Sequence, residues 1–468
     1  MARTTRNTVR HLVAVSALAL GALTAPVSAE TAFTATSNGF QGMVRAAASQ
    51  PGAPVYKGGK ATLSGMGLIP GQKISLLRGS KVLNDAPITV DDKGAFSYEI
   101  ELDADAVVGL QPVVVIAEEP AAAMVVDLKI SPEVPLSGSE LFAIKSEPVT
   151  KGLYQVAYSA ASDAVFVTSA VGRPPVKESA LLKLDPNTLE ILAQAAPGAA
   201  PAREDGQDGG VFAVYGVAVD DVHGNVWVGN TRQNTVAVYK QSDLSLVKQY
   251  DAGLAPHSRD IVIDAANNRA YVSTSFGETI EVFDTATLEV LPPLVIKSKV
   301  RGKDFGTMSL ELDPVSHKLF TVSMPTNEAA IIDLASGEAD VFPIPDARNA
   351  SGVAYDAKEG LLFVASQNSD NLVIIDTKTG DTVANTLVGA GSLNVAFEPV
   401  SRLAFVANRG AGTITVVDTT GKIVANLDAG TLPNQLRADG KGNVWAVNKS
   451  RGENDEAGDR LWRISPAK

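Results

Sequence analysis

Residue types able to do covalent or metal chemistry are scarce in this chain and scattered where they occur. The 468 residues contain no cysteine and four histidines. Thiol nucleophiles, disulfides and thiolate-bound metals are therefore excluded, and stability must come from packing alone. His11 lies in an apolar N-terminal run, and His223, His257 and His317 stand far from one another, without the short spacings of zinc ligands. No G-x-S-x-G is present to raise a nucleophile on a turn. What recurs instead is equipment for holding a ligand. Arg232, Arg409, Lys449 and Arg451 follow short strand-like runs of one pattern, Lys303 closes the basic stretch "KSKVRGK", and Tyr154, Tyr215, Arg259, Asn394 and Asn434 sit at the head of another set of runs.

The runs that must position these side chains form an internal repeat. "VFVTS" (165–169), "VWVGN" (226–230), "AYVST" (270–274), "LFTVS" (319–323), "LFVAS" (362–366), "AFVAN" (404–408) and "VWAVN" (444–448) are seven copies of one strand. The second position is aromatic each time, at Phe166, Trp227, Tyr271, Phe320, Phe363, Phe405 and Trp445, and reads as core. The last position is Ser, Thr or Asn, which reads as a strand end bonding local backbone, and the recurring Asp185, Asp284, Asp333, Asp376 and Asp418 read the same way. A short strand precedes each copy and two more follow it. Four strands in each unit of 40-odd residues predict a blade of a β-propeller. The last copy runs out of chain, so residues 138–148 are expected to supply its outer strand and close the ring without open edges.

In such a blade the start of the inner strand and the end of the second strand share one face of the disc, here the upper face. The polar or small residue just before the aligned apolar pair is Gln155, Gly216, Asp260, Ser309, Gly352, Asn394 or Gln435, expected to hydrogen-bond between blades. One position earlier stand Tyr154, Tyr215, Arg259, Met308, Ser351, Leu393 and Asn434. Cations collect on this face, whereas the opposite face receives the largely acidic loops "DDVHG", "DAANN" and "DAKEG". Carboxylates in "REDGQDGG" (203–210) and "ENDEAGD" (453–459) are expected to pair with part of the upper-face charge. The formal net charge of -12 opposes any general adhesion to nucleic acid or anionic lipid, so an anion site must be a local basic patch.

Ahead of the repeats, Arg3, Arg6 and Arg10 precede the apolar run "LVAVSALALGALT" and the small residues "VSA" (27–29). This predicts a signal peptide over 1–29, cleaved after about Ala29, and a periplasmic or secreted protein without transmembrane anchoring. Residues 30–53 read as a flexible tether, 54–131 as a small β-sandwich, 132–137 as a linker and 138–468 as the propeller. The sandwich resembles the Ig-like modules of bacterial exported proteins through Gly65, Gly67, Pro70, Gly71, Asp91, Gly94 and Phe96.

The stretches "AYVSTSFGETIEVFDTATLEV" and "AFVANRGAGTITVVDTT" resemble the Y-V-T-N family of propeller repeats, and the region from about 139 onward resembles the exported YncE-like propellers. That resemblance implies a periplasmic binding protein, with single-stranded DNA as one ligand. The expectation is an all-β fold, a seven-bladed propeller behind an Ig-like sandwich. Tyr154, Tyr215, Arg232, Arg259, Lys303, Asn394, Arg409, Asn434, Lys449 and Arg451 are taken to bind a protein, glycan or anionic polymer, the tyrosines as stacking surfaces. No catalytic residue, cofactor or metal ligand is assigned. The alternative is a hydrolase or lactonase with a divalent metal at the channel mouth.

Overall fold

The structure is a computed structural model that describes residues 39–467. The expected signal peptide lies outside the described residues. From Leu153 onward the chain forms six consecutive four-stranded antiparallel sheets, and a seventh is built from Pro433–Ala438, Val444–Asn448, Arg460–Pro466 and the early strand Phe142–Pro148. The protein is a seven-bladed β-propeller preceded by a smaller β unit. Among the described residues no helix is long and apolar enough to cross a membrane.

Each blade follows from short runs of β-branched and aromatic residues cut by turn residues. At the turn after the third strand, Asp185 accepts hydrogen bonds from the backbone N–H of Asn187 (2.7 Å) and Thr188 (2.8 Å). Asp284, Asp333 and Asp376 make the same turn, as the repeat predicts. The aromatic column is buried throughout. Its rings pack across the blade boundary on aromatics of the next inner strand: Phe320 on Tyr355 (4.1 Å between centroids), Phe363 on Phe397 (5.0 Å) and, across the closing seam, Trp445 on Tyr158 (5.9 Å). Offset ring pairs of this kind add to the area they bury.

The blades are joined at the top of their inner strands. Every inner strand slips register at its start, between Leu153 and Val156 in the first blade and at the equivalent place in the other six. A bulge takes a residue out of the ladder and leaves backbone N–H groups without a strand partner. The preceding blade supplies one. The carbonyl oxygen of the Gln155 side chain accepts from Val217 N–H (3.0 Å), Asp260 from Leu310 (3.0 Å), Asn394 from Leu436 (2.8 Å) and Gln435 from Val156 (2.9 Å). At the fourth blade, Ser309 Oγ donates to the Ser351 carbonyl (2.8 Å). Two blades carry glycine here because the neighbour is too close for a side chain. A Cβ on Gly216 would lie 2.7 Å from the Arg259 carbonyl oxygen, and one on Gly352 would lie 2.7 Å from Asn394 Cα.

Closure of the ring places Phe142–Pro148 antiparallel to the last strand, with Ile144 opposite Ile464 and Pro148 opposite Arg460. Arg460 fixes this seam, donating from Nε to Ser146 Oγ (2.9 Å) and from Nη2 to the Ser146 carbonyl (3.0 Å).

The smaller unit is two sheets, one of Met43–Ala48, Lys60–Met66 and Phe96–Glu101, the other built on Lys73–Arg78, Gly109–Glu118 and Ala122–Ile130. They share a core that includes Val44, Leu63, Leu76, Phe96 and Val115. The tether expected over 30–53 is thus corrected in part. Residues 43–48 form an edge strand that buries Val44, an alternation masked in the sequence by the run of alanines. The linker is also held, since Asn426 donates to the Val134 carbonyl (2.8 Å) and pairs with Ser137. Lys129 joins the two units through Asp370 (2.5 Å), which is 2% exposed.

Two outcomes test this account. Gln435→Leu leaves the buried Val156 N–H without an acceptor and should cost about 1–3 kcal/mol in urea unfolding, whereas exposed Lys358→Ala should stay within about 0.5 kcal/mol of the wild type. Deleting residues 138–148 should expose the edge at Arg460–Pro466 and give aggregates in size-exclusion chromatography; deleting residues 30–130 should leave a soluble propeller.

Candidate functional site

The residues above the inner strands come together as a polar, cationic crescent at the upper mouth of the channel. Tyr154 and Tyr215 meet edge to face, 4.1 Å between centroids at 87°. Lys449 Nζ lies 4.4 Å from the centre of the Tyr154 ring, and the Arg232 guanidinium lies 5.6 Å from that of Tyr215, near enough for cation–π attraction. Arg232 Nε also donates to the Tyr215 hydroxyl (3.3 Å). Asn434 donates to the Tyr154 carbonyl (2.6 Å) and accepts from Arg409, so it aims that guanidinium across the seam between the last blade and the first. Arg259 completes the set from the third blade; its Nε is buried and has no acceptor among the described residues.

Burial and neighbouring cations weigh on the charged form of several of these groups. Burial pushes the Lys449 ammonium down to about 8, with Arg409 and Arg232 adding to the shift and Asp459 opposing it. Arg409 is lowered by burial and by Arg259, against a raising effect of Tyr154. His257 is pushed down to about 4 by burial first and then by Arg232 and Arg259. None of Arg232, Arg259, Arg409 and Lys449 forms an ion pair with a described carboxylate. Other upper-face cations are neutralised, Lys177 by Asp208 and Lys297 by Glu278. A cluster of cations without a directly paired carboxylate leaves a net positive field at this mouth.

Seven of the ten residues read from the sequence therefore converge: Tyr154, Tyr215, Arg232, Arg259, Arg409, Asn434 and Lys449. Three do not. Asn394 is buried and spends its side chain on the Leu436 N–H, so it joins blades rather than facing a ligand. Arg451 turns aside to the smaller unit, donating to the Gly52 carbonyl (2.9 Å). Lys303 is exposed on the loop into the fourth blade and makes no described side-chain bond to the crescent. The stacking role also needs correction for Tyr215, which is 3% exposed and has no open face.

Below the crescent the channel is barred. Arg437 of the last blade reaches Asp260 of the third (2.9 Å), and the Gln155 side chain donates to the Arg259 carbonyl (3.1 Å) over the space that Gly216 leaves open. A chamber of about 890 Å³ continues beneath this bar to the lower face. The sequence reading missed it, although one signal was present. At the position two residues below the latches, Ala157, Ala218, Val262, Ala354 and Ala396 are apolar, and the remaining two blades place Glu311 and Arg437 there. Among the described residues no group of three or more His, Asp or Glu gathers in a metal-holding arrangement. The upper mouth, where the alternative reading needs a divalent ion, presents like charge to it.

No family model matches the chain. YncE of Salmonella typhimurium is 28% identical over 311 residues, covering 63% of this chain and 82% of its own. YncE of Escherichia coli K12 is 25% identical over 326 residues, covering 66% and 86%. Among solved structures, virginiamycin B lyase from Staphylococcus aureus superposes with a TM-score of 0.53 at 14% identity, over 70% of this chain and 100% of that one. Hydrazine synthase of Kuenenia stuttgartiensis gives 0.51 at 17%, over 64% and 92%. At these identities the structural likenesses speak for the fold alone. Sequence similarity and shape together support a YncE-like β-propeller.

Proposed function

We propose that this is an exported binding protein that captures an anionic ligand at the upper mouth of its propeller and does not transform it. The observation that carries the reading is the crescent of Arg232, Arg259, Arg409 and Lys449 around Tyr154, without an ion-paired carboxylate among the described residues. Because the two tyrosines are largely spent on each other and on the cations, the favoured contact is to phosphate, sulfate or carboxylate groups rather than to base faces. A single-stranded nucleic acid presents such groups in series, and it is the polymer to try first. The smaller β unit serves as a spacer or docking arm of the Ig-like kind, and the basic, apolar N-terminal segment supports export.

Titration of a labelled single-stranded oligonucleotide at two salt concentrations tests the site. Affinity should fall with salt, with a log–log slope of about -3 if all four cations meet phosphates. Reversing Arg409 and Lys449 to Glu should weaken binding about tenfold or more, equivalent to about 1.4 kcal/mol, and reversing lower-face Lys358 and Lys378 should change it less than about twofold. Equal losses from the two faces would reduce the attraction to a diffuse field. Absence of binding at low salt, to oligonucleotide and sulfated glycan alike, would remove the reading.

Protonation gives a separate check. Lys449 sits at about 8 in the folded protein against an ordinary 10.5. Anion affinity should therefore decline as pH rises through about 8, and binding measured near that pH should take up protons. The unfolded chain keeps its lysine proton to higher pH, so between about 8 and about 10.4 it binds more protons than the native state. This contribution to stability should rise with pH across that window, and Lys449→Met should flatten both profiles.

A further inference from the structure

We propose that the lower chamber of the channel is a second binding site, specific for a small amphiphilic amine whose ammonium pairs with Glu311 and whose apolar body fills the space beneath the bar. The volume of about 890 Å³ is within the range of small-molecule sites, roughly 300–1,000 Å³. Val, Ile, Leu and Ala of the inner strands make up about half of its wall, and apart from Glu311 and Arg437 its charged residues, among them Asp356, Arg402 and Asp439, come from the lower ends of the strands and the loops there. An apolar chamber with one or two convergent polar groups is the usual form of a site that recognises both a body and a head group.

Glu311 is that group. It occupies the ring position where five blades carry Ala or Val, and its carboxyl makes no hydrogen bond or ion pair with another described residue. The nearest cation, Arg437, is already committed to Asp260, which also accepts from Leu310 N–H (3.0 Å). Asp313, two residues along the same strand, is held in a turn by Val315 N–H and Ser316 Oγ. Nearer the opening Arg402 is engaged by Asp356 (2.5 Å) and Glu359 (2.6 Å), while Lys358 is exposed at the rim and forms no described ion pair. Neither Arg437 nor Arg402 is therefore free to pair directly with Glu311. Burial pushes its carboxyl up to about 7, opposed by Arg437 and reinforced by Asp260 and Asp313. An unpaired carboxylate in an apolar enclosure is costly, and an ammonium brought in by a ligand removes that cost, whereas an anion would add to it.

Phenethylamine, 2-phenylethanol and 3-phenylpropionate are matched probes for the full-length protein, read by calorimetry in two buffers of different ionisation enthalpy. The amine should bind at least about tenfold more tightly than the alcohol, about 1.4 kcal/mol, and the acid should not bind. At pH 6, where Glu311 is mostly protonated, amine binding should release a proton; between pH 5 and 8 the affinity should rise. Glu311→Gln, which keeps shape and removes charge, should erase the preference for amine over alcohol. Ala396→Leu, which narrows the chamber, should weaken amine and alcohol alike, with thermal unfolding verifying that both variants fold. The Arg409 and Lys449 reversals should leave amine binding intact, so loss of the upper-mouth reading and loss of this one are separable. Equal affinity for amine and alcohol, no amine binding by the wild type, or a preference that survives in Glu311→Gln would overturn the proposal.

Discussion

The constraint on which the rest of this structure depends is the bulge at the head of each inner strand. A bulge exposes backbone N–H groups that no strand in the same blade can satisfy, and a buried unpaired N–H costs about 1–3 kcal/mol. Each blade therefore needs its neighbour. Gln155, Asp260, Asn394 and Gln435 meet this need by reaching across the boundary, and Ser309 ties the same boundary differently, donating its hydroxyl to the Ser351 carbonyl. Where glycine stands in their place, at Gly216 and Gly352, the main chains come so close that no side chain could enter. The Gln435 bond to Val156 belongs to the same series, so the hydrogen bonding that joins adjacent blades also closes the ring.

From this collar the two ends of the channel acquire different chemistry. The residues one above each latch are unevenly spent around the seven blades. Met308, Ser351 and Leu393 pack as small or apolar groups, while Asn434, Tyr154, Tyr215 and Arg259 build the polar side. The cationic crescent thus straddles the joint between the chain's last blade and its first, where Arg409 is held by Asn434 and Lys449 lies over Tyr154. Beneath the collar, the Arg437–Asp260 pair uses a latch residue for a second purpose, tying opposite walls and separating the mouth from the chamber.

Most of this was legible because a repeat states its scaffold seven times. The aromatic column recurs in all seven blades and the Asp turn in five, and a column that recurs in this way points to one physical reason. Single residues were less legible. Asn394 follows its column, with Gln155 and Gln435, in bonding between blades as expected there, rather than facing a ligand; the Arg451 contact leaves no such signal, because its partner at Gly52 lies 399 residues away in the chain. Tyr215 was read as a platform from its place at the mouth, yet Tyr154, Ala213 and Val176 enclose it, and enclosure by a neighbouring blade leaves no trace in local sequence. The strand Met43–Ala48 was missed because alanines on both faces carry no period of two.

The chemistry of this protein lies where the repeat is broken. Seven equal blades would give a channel of seven equal side chains at each level, with nothing to orient a ligand. Two departures at one level, Glu311 and Arg437, convert an apolar bore into a chamber with a bar and a lone carboxyl. Departures at the level above, Arg259 in place of a small or apolar residue and Asn434 in place of Leu393's type, convert a rim into a directed positive field. The two ends are opposite in sign, with cations gathered above the bar and the Glu311 carboxyl below it. The Arg437–Asp260 bar, itself close to neutral, separates the two within one ring of strands.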